Sequence, residues 1–252
     1  MINPHEIQRL TTLALVAEPL AEKDGCATRT KDLSEDLKLT HFLAVAVNSG
    51  EYFYELAQRV VDEGGQPKVF YDLCHEALKN SNRNSKSQKY INNGLLGVLF
   101  PFVLARLISD KRGEDLGEVV LEILKKSSVQ DVQFREKCRN LAWSTSTVTW
   151  RRVFPSVGGS NLHEYYENKL NLFNPDVSEV DIFWTKQFLS GFLLIKEMYL
   201  CAKTQKDSSL ILRTEIAYRL GMQSIKHPPL VADYNAVVNF LLLSEKDGDS
   251  TL

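Results

Sequence analysis

Three short segments of this 252-residue chain combine side chains that can hold an anion or move a proton. The first is Lys23-Asp24-Gly25-Cys26-Ala27-Thr28-Arg29, followed by Asp32, Glu35 and Asp36. Lys23 and Arg29 can bind phosphate oxygens, and Gly25 lets the backbone approach a ligand closely. Asp32 and Glu35 are candidate magnesium ligands, and Asp32 or Asp36 is a candidate base for a hydroxyl proton. The same composition also suits a solvated connection between helices, and the residues leave both readings open. The second segment, Asn92-Asn93-Gly94, opens an apolar run. Asparagine is a good helix cap, yet the free N–H groups of a helix start also attract anions, and Arg83, Lys86 and Lys89 lie just upstream. The third is Pro155-Ser156-Val157-Gly158-Gly159-Ser160, where the glycines can let backbone N–H groups crowd an anion or simply form a loop. Trp143, Trp150 and Phe154 nearby can stack on a base or fill the core.

Other chemistry lacks support in the sequence. There is no GxGxxG, Walker loop, HExxH or GxSxG, and the five histidines are not spaced as a metal cluster. A formal net charge of −2 supplies no global positive field, so neither nucleic acid nor a membrane surface is expected as a partner. A local basic pocket for a phosphate-bearing small molecule remains compatible with that charge. Cys26, Cys74, Cys138 and Cys201 stand far apart without CxxC pairing, which suits reduced thiols better than long-range disulfides. Met1 to His5 lacks the basic and apolar pattern of a secretory leader, and a cytoplasmic location is the expectation. The balanced surface permits a homodimer.

The elements that must position these residues read as helices. Apolar residues recur at helical spacing almost everywhere, and alternating strand patterns are scarce. The expected fold is all-α: a single-domain multi-helix bundle over 1–244, with a flexible tail over 245–252. The run Leu95 to Ile108 is hydrophobic all round and should be the central, buried helix. Around it the spacing predicts helices over 4–20 and 39–62, one with Pro67 in its first turn, and others over 114–126 and from Ser128. Three more are expected over 178–202, 207–225 and 231–243, with Pro228-Pro229 separating the last two. That makes roughly nine helices, with loops near residues 21–37 and 144–160.

Taken in order, the motifs resemble the triphosphoribosyl-dephospho-CoA synthase family. Leu13-Ala14-Leu15-Val16-Ala17-Glu18, then Lys23-x-Gly25-x-x-x-Arg29-x-x-Asp32, is similar to that family's first helix and Lys-Pro-Gly loop. Asn92-Asn93-Gly94-Leu95-Leu96-Gly97 resembles its Asn-Thr-Asn-Leu-Gly segment, and Asp207-Ser208-Ser209-Leu210-Ile211-Leu212-Arg213 its Pro-Asp-Ser-Leu-Ile-Ala-Arg pattern. The chain departs from the family at Glu22 and Asp24, which stand where the loop's prolines would be. The resemblance implies a nucleotide-dependent transferase that moves the triphosphoribosyl group of ATP to a ribose hydroxyl of dephospho-CoA or a related acceptor, releasing adenine. It implies Lys23, Gly25, Arg29, Asn92, Asn93 and Gly94 as substrate-binding residues, and magnesium accompanying ATP. A non-catalytic helical interaction or regulatory protein is the competing expectation, suggested by the altered loop.

Overall fold

A computed structural model describes residues 3–32, 34, 37–83, 90, 92–109, 115–144, 156–172 and 179–245. Among them run eleven helices: α1 (Pro4–Leu20), α2 (Leu39–Glu63), α3 (Tyr71–Asn80), α4 (Asn93–Ile108), α5 (Leu116–Lys126), α6 (Val129–Ser144), α7 (Leu162–Asn171), α8 (Glu179–Leu189), α9 (Leu193–Lys203), α10 (Leu210–Ser224) and α11 (Pro228–Ser244). No strand occurs among the described residues, and the fold is all-α, as the spacing predicts. One hydrophobic core cluster contains residues from every helix. No helix among the described residues is long and apolar enough to cross a membrane. The four cysteines are free thiols.

Helix α4 is the axis of the bundle. Every residue from Leu95 to Ala105 is buried, and α2, α3, α5, α6 and α11 pack on it. Pro101 has no N–H to return to the carbonyl of Gly97 four residues earlier. The fully buried Tyr71 fills that place, its hydroxyl donating to Gly97 O at 2.6 Å. A side chain from α3 thus repairs the hydrogen-bond ladder that the proline interrupts.

The start of α3 differs from expectation, because Pro67 to Phe70 precede the helix rather than open it. The cause lies in α6. Asp131 is fully buried, and its Oδ1 accepts from the backbone N–H groups of Phe70 (2.8 Å) and Tyr71 (2.9 Å). Its Oδ2 accepts from the Ser128 N–H (2.9 Å) and hydroxyl (2.8 Å), while Ser128 Oγ accepts from the Asp131 N–H at 3.2 Å. The cap anticipated at Ser128 is present, and the same carboxylate also caps α3.

Two more corrections concern the C-terminal half. Helix α7 was not anticipated; it begins at Asn161, whose Oδ1 accepts from Glu164 N at 2.9 Å, and it buries Leu162, Tyr165, Tyr166 and Lys169. The expected helix over 178–202 is two helices, broken at Gly191 (φ 69°) and Phe192 (φ 59°). A β-carbon on Gly117 would lie 2.3 Å from the Gly191 carbonyl oxygen, so the break is a close backbone crossing with the start of α5. Gln187 Oε1 then accepts from Leu194 N (3.1 Å) and restarts the chain as α9. Finally, Pro228 and Pro229 open α11 rather than precede it, where their missing N–H groups cost nothing.

Candidate active site

The chain leaves α1 through Glu18, Pro19 and Leu20 and turns back so that Lys23 points under its own helix. The Lys23 side chain is fully buried, and its ammonium hydrogen-bonds both the backbone oxygen and the carboxylate of Glu18. The loop is tied down from α10 and α11. Tyr218 donates its hydroxyl to Asp24 O (2.6 Å), and Glu215 Oε1 accepts from Glu22 N (3.1 Å). Gly25, at φ 74°, lies so close to Pro228 that a β-carbon would come within 2.7 Å of Pro228 Cγ. Burial raises the Cys26 thiol to about 11, with Lys23 opposing and Glu18 reinforcing the shift.

Helix α11 brings Asp233 to the same place. Burial, reinforced by the negative charge of Glu18 and opposed by Lys23, pushes its carboxyl well above the usual carboxylate range. That carboxyl lies against the first turn of α4: a β-carbon on Gly94 would meet Asp233 Oδ2 at 2.2 Å. The loop after α1, the start of α4 and the first turns of α11 therefore converge on one acidic group.

At the entrance of α4, Asn92 occupies the capping position, makes no capping bond, and is only 3% exposed. Its amide nitrogen, the Tyr234 hydroxyl and Asn235 Oδ1 are buried polar atoms without a hydrogen-bond partner. Asn93 Oδ1 accepts from Arg135 Nη1 at 2.7 Å. Arg135, with Tyr166, Trp184 and Lys169, builds a second buried wall beside the same turn, each cation lying 5.1 Å from the Trp184 ring centre.

Of the residues read from the sequence, Lys23 and Gly94 lie by Asp233, Gly25 packs on Pro228 of the same helix, and Asn93, next to the buried Asn92, turns to Arg135. Arg29 lies on an outer rim, half-exposed and paired with Glu22 at 3.0 Å. There, hydrogen bonds from Thr30 and Arg29 hold Glu22 below its ordinary range. Asp32 is exposed, and its Oδ1 accepts from Leu39 N (2.9 Å) at the start of α2. Glu35, Asp36, Lys86, Lys89, Trp150 and Phe154, and the side chain of Trp143, lie outside the described residues. Gly158 and Gly159 are occupied structurally: Asn168 Nδ2 donates to Gly158 O (2.9 Å), and a β-carbon on Gly159 would strike Tyr165 N at 2.7 Å. Asp233 and Arg135 were not anticipated. Asp233 had a signal, since it is the one charged residue between Leu230 and Leu243.

The family model for ATP:dephospho-CoA triphosphoribosyl transferase matches residues 4–146, more than half of the chain. The chain belongs to this family. No curated protein and no solved structure matches it. The match covers Glu18, Lys23, Asn92 to Gly94 and Arg135, whereas Asp233, Lys169 and Trp184 lie beyond it. As an ATP:dephospho-CoA triphosphoribosyl transferase, the protein is a transferase of nucleotide substrates. Two carboxyls, Glu18 and Asp233, lie near Lys23, and Asp233 sits against the first turn of α4. Glu18 is paired with Lys23, and burial pushes the Asp233 carboxyl up, towards its neutral form.

Neither of these groups suits a protein-held metal, one being committed to a lysine and the other favouring its proton. No group of three His, Cys, Asp or Glu side chains placed to hold a metal occurs among the described residues.

Proposed function

We propose that the transfer takes place in the cleft between Lys23, the first turn of α4 and Asp233. A ribose hydroxyl of dephospho-CoA, or of a related acceptor, attacks C1′ of the ATP ribose, and the bond from C1′ to the adenine nitrogen breaks. One proton leaves the attacking hydroxyl and one arrives on adenine, so the overall exchange is balanced. Neutral Asp233 is the acid that protonates the departing adenine, and Glu18 is the base that takes the hydroxyl proton. Lys23 and the free N–H groups at the start of α4 face the triphosphate, while the amides of Asn92 and Asn93 serve the substrates from the neighbouring face of the same turn. Gly25 and Gly94 let the loop and the α4 turn pack closely against Pro228 and Asp233 of α11, which draws the three segments together.

Arg29 and Asp32 belong to the rim of this reading. Arg29 reaches for the outermost phosphate, and Asp32, with Glu35 and Asp36 following it in sequence, faces the solvent side of the triphosphate. Magnesium enters as part of the Mg-ATP substrate, held mainly by phosphate oxygens and water, and no step is routed through it. A cytoplasmic location, where ATP is abundant, fits this chemistry.

The observation that carries the reading is the contact between Gly94 and Asp233, because it joins segments 139 residues apart and brings a helix start and an acid together beside Lys23. No observation favours a non-catalytic role. The test is release of adenine from ATP on addition of dephospho-CoA. Asp233→Asn should lower that rate by roughly 100-fold or more while leaving ATP binding intact. Full activity in the variant, or absence of ATP binding at millimolar concentrations in the wild type, would overturn the assignment.

A further inference from the structure

Arg135 is 3% exposed, and a buried guanidinium cannot shed its proton. Its Nε donates to the Tyr166 hydroxyl (3.1 Å), its Nη1 donates to Asn93 Oδ1 (2.7 Å), and its remaining contact is with the Trp184 ring. Every one of these partners is neutral, and no ion pair with a described carboxylate is formed. The adjacent Glu136 is committed elsewhere, to the Arg139 guanidinium and to the Tyr165 hydroxyl at 2.5 Å. An unpaired buried charge costs several kcal/mol. The surroundings add to that cost, because the start of α4 carries the positive end of a helix dipole and Lys169 shares the Trp184 ring.

A second, independent feature lies on the same turn. Asn92 is equally buried, and its amide nitrogen has no acceptor. A cation without a counter-charge and a donor without an acceptor call for the same thing, a group rich in negative oxygens. Asn93 and Gly97 present this face to Arg135, and a β-carbon on Gly97 would lie 3.5 Å from the guanidinium. Gly94 presents the neighbouring face to Asp233. The first turn of α4 thus offers two faces to two different sets of side chains.

We propose that Arg135, the Asn92 amide and the first turn of α4 form a subsite for a pyrophosphate-bearing group, separate from the Lys23–Asp233 face. The identity of its nucleotide occupant rests on the transferase reading; the need for an anion does not. A transfer between two nucleotides brings two phosphoanhydride chains to the site, the triphosphate of ATP and the pyrophosphate of dephospho-CoA. A fork of guanidinium N–H groups suits either, since it can grip two oxygens at once.

The test is calorimetric titration of the full chain with inorganic pyrophosphate, ATP and dephospho-CoA, for the wild type, Arg135→Lys and Arg135→Gln. Arg135→Lys keeps the charge and removes the fork, so it decides the matter if Arg135→Gln fails to fold. The expected result is pyrophosphate binding that Arg135→Lys weakens at least tenfold. A parallel loss of dephospho-CoA affinity makes the acceptor the occupant, and a parallel loss of ATP affinity makes it the donor. Pyrophosphate binding that is absent, or unchanged in Arg135→Lys, overturns the subsite. If both nucleotides bind and neither responds to Arg135→Lys, the subsite falls while the transferase reading stands. Arg135-dependent pyrophosphate binding with no nucleotide binding leaves the subsite standing and sinks that reading.

Discussion

The α-carbon of Gly94 lies directly against the carboxyl group of Asp233, with so little room that a β-carbon would sit 2.2 Å from Asp233 Oδ2. This contact ties the N-terminal turn of the central helix to the last helix of the chain. It also brings an acid to the place where the α4 N–H groups are free. Replacing Gly94 by alanine must push Asp233 away or tilt α4. Gly94→Ala should destabilise the protein by about 1–3 kcal/mol and lower kcat/KM roughly 100-fold. Adding Asp233→Ala should restore melting temperature without restoring adenine release, a double-mutant cycle that separates crowding from chemistry.

Asp233 makes stability depend on pH in a direction that can be checked. Its folded-state pKa is raised, chiefly by burial and then by Glu18. The folded protein therefore binds this proton more tightly than the unfolded chain does. The stability it confers is fully present below the ordinary carboxylate range and is lost as pH rises through the folded value. Melting temperatures measured from pH 4 upwards should fall for the wild type relative to Asp233→Asn, whose side chain cannot ionise. Parallel profiles for the two proteins would count against a neutral Asp233.

Lys169 gives the opposite slope. Burial lowers its pKa to about 8; Arg135 and Arg139 push in the same direction, while Asp181 and Glu136 oppose. The unfolded chain holds this proton up to about pH 10.4. Stability should therefore rise between about pH 8 and the ordinary lysine range, and Lys169→Met should remove that rise. Thermal melts of the two proteins across this interval would show it.

Tyr71→Phe removes one oxygen and leaves the Gly97 carbonyl buried without a donor, since Pro101 cannot supply one. The expected loss is about 1–3 kcal/mol, read by urea unfolding. An effect near zero would mean that α4 relaxes to bond that carbonyl in another way.

How far the sequence foretold all this varied with how local the cause was. The uniform apolarity of Leu95 to Ile108 announced a central helix, and Ser128 with Asp131 announced a cap. Lys23, Asn92 and Asn93 stood out because their side chains and spacing are themselves the signal. The break at Gly191 and Phe192 was illegible, since Leu189, Phe192 and Leu193 keep a helical apolar period across it. What forces the turn is the crossing with Gly117, seventy-four residues away in the chain. Helix α7 was hidden because its buried stripe, Leu162, Tyr165, Tyr166 and Lys169, ends in a charged residue and is interleaved with polar ones. Asp233 read as one position of a core helix. Only the folded chain reveals that its neighbours are Glu18 and Lys23 from the opposite end.

Asp131 ties the beginnings of two helices to a single carboxylate, and Arg135 follows it by one helical turn. The rotation of α6, and with it the direction in which Arg135 points, is thus fixed by backbone groups of α3 rather than by anything inside the cleft. An activity screen across this protein would flag Ser128 and Asp131 as sharply as residues that touch the nucleotide. The two classes would separate on binding stoichiometry: the aiming residues would lower the fraction of competent molecules, whereas the touching residues would lower the affinity of each one.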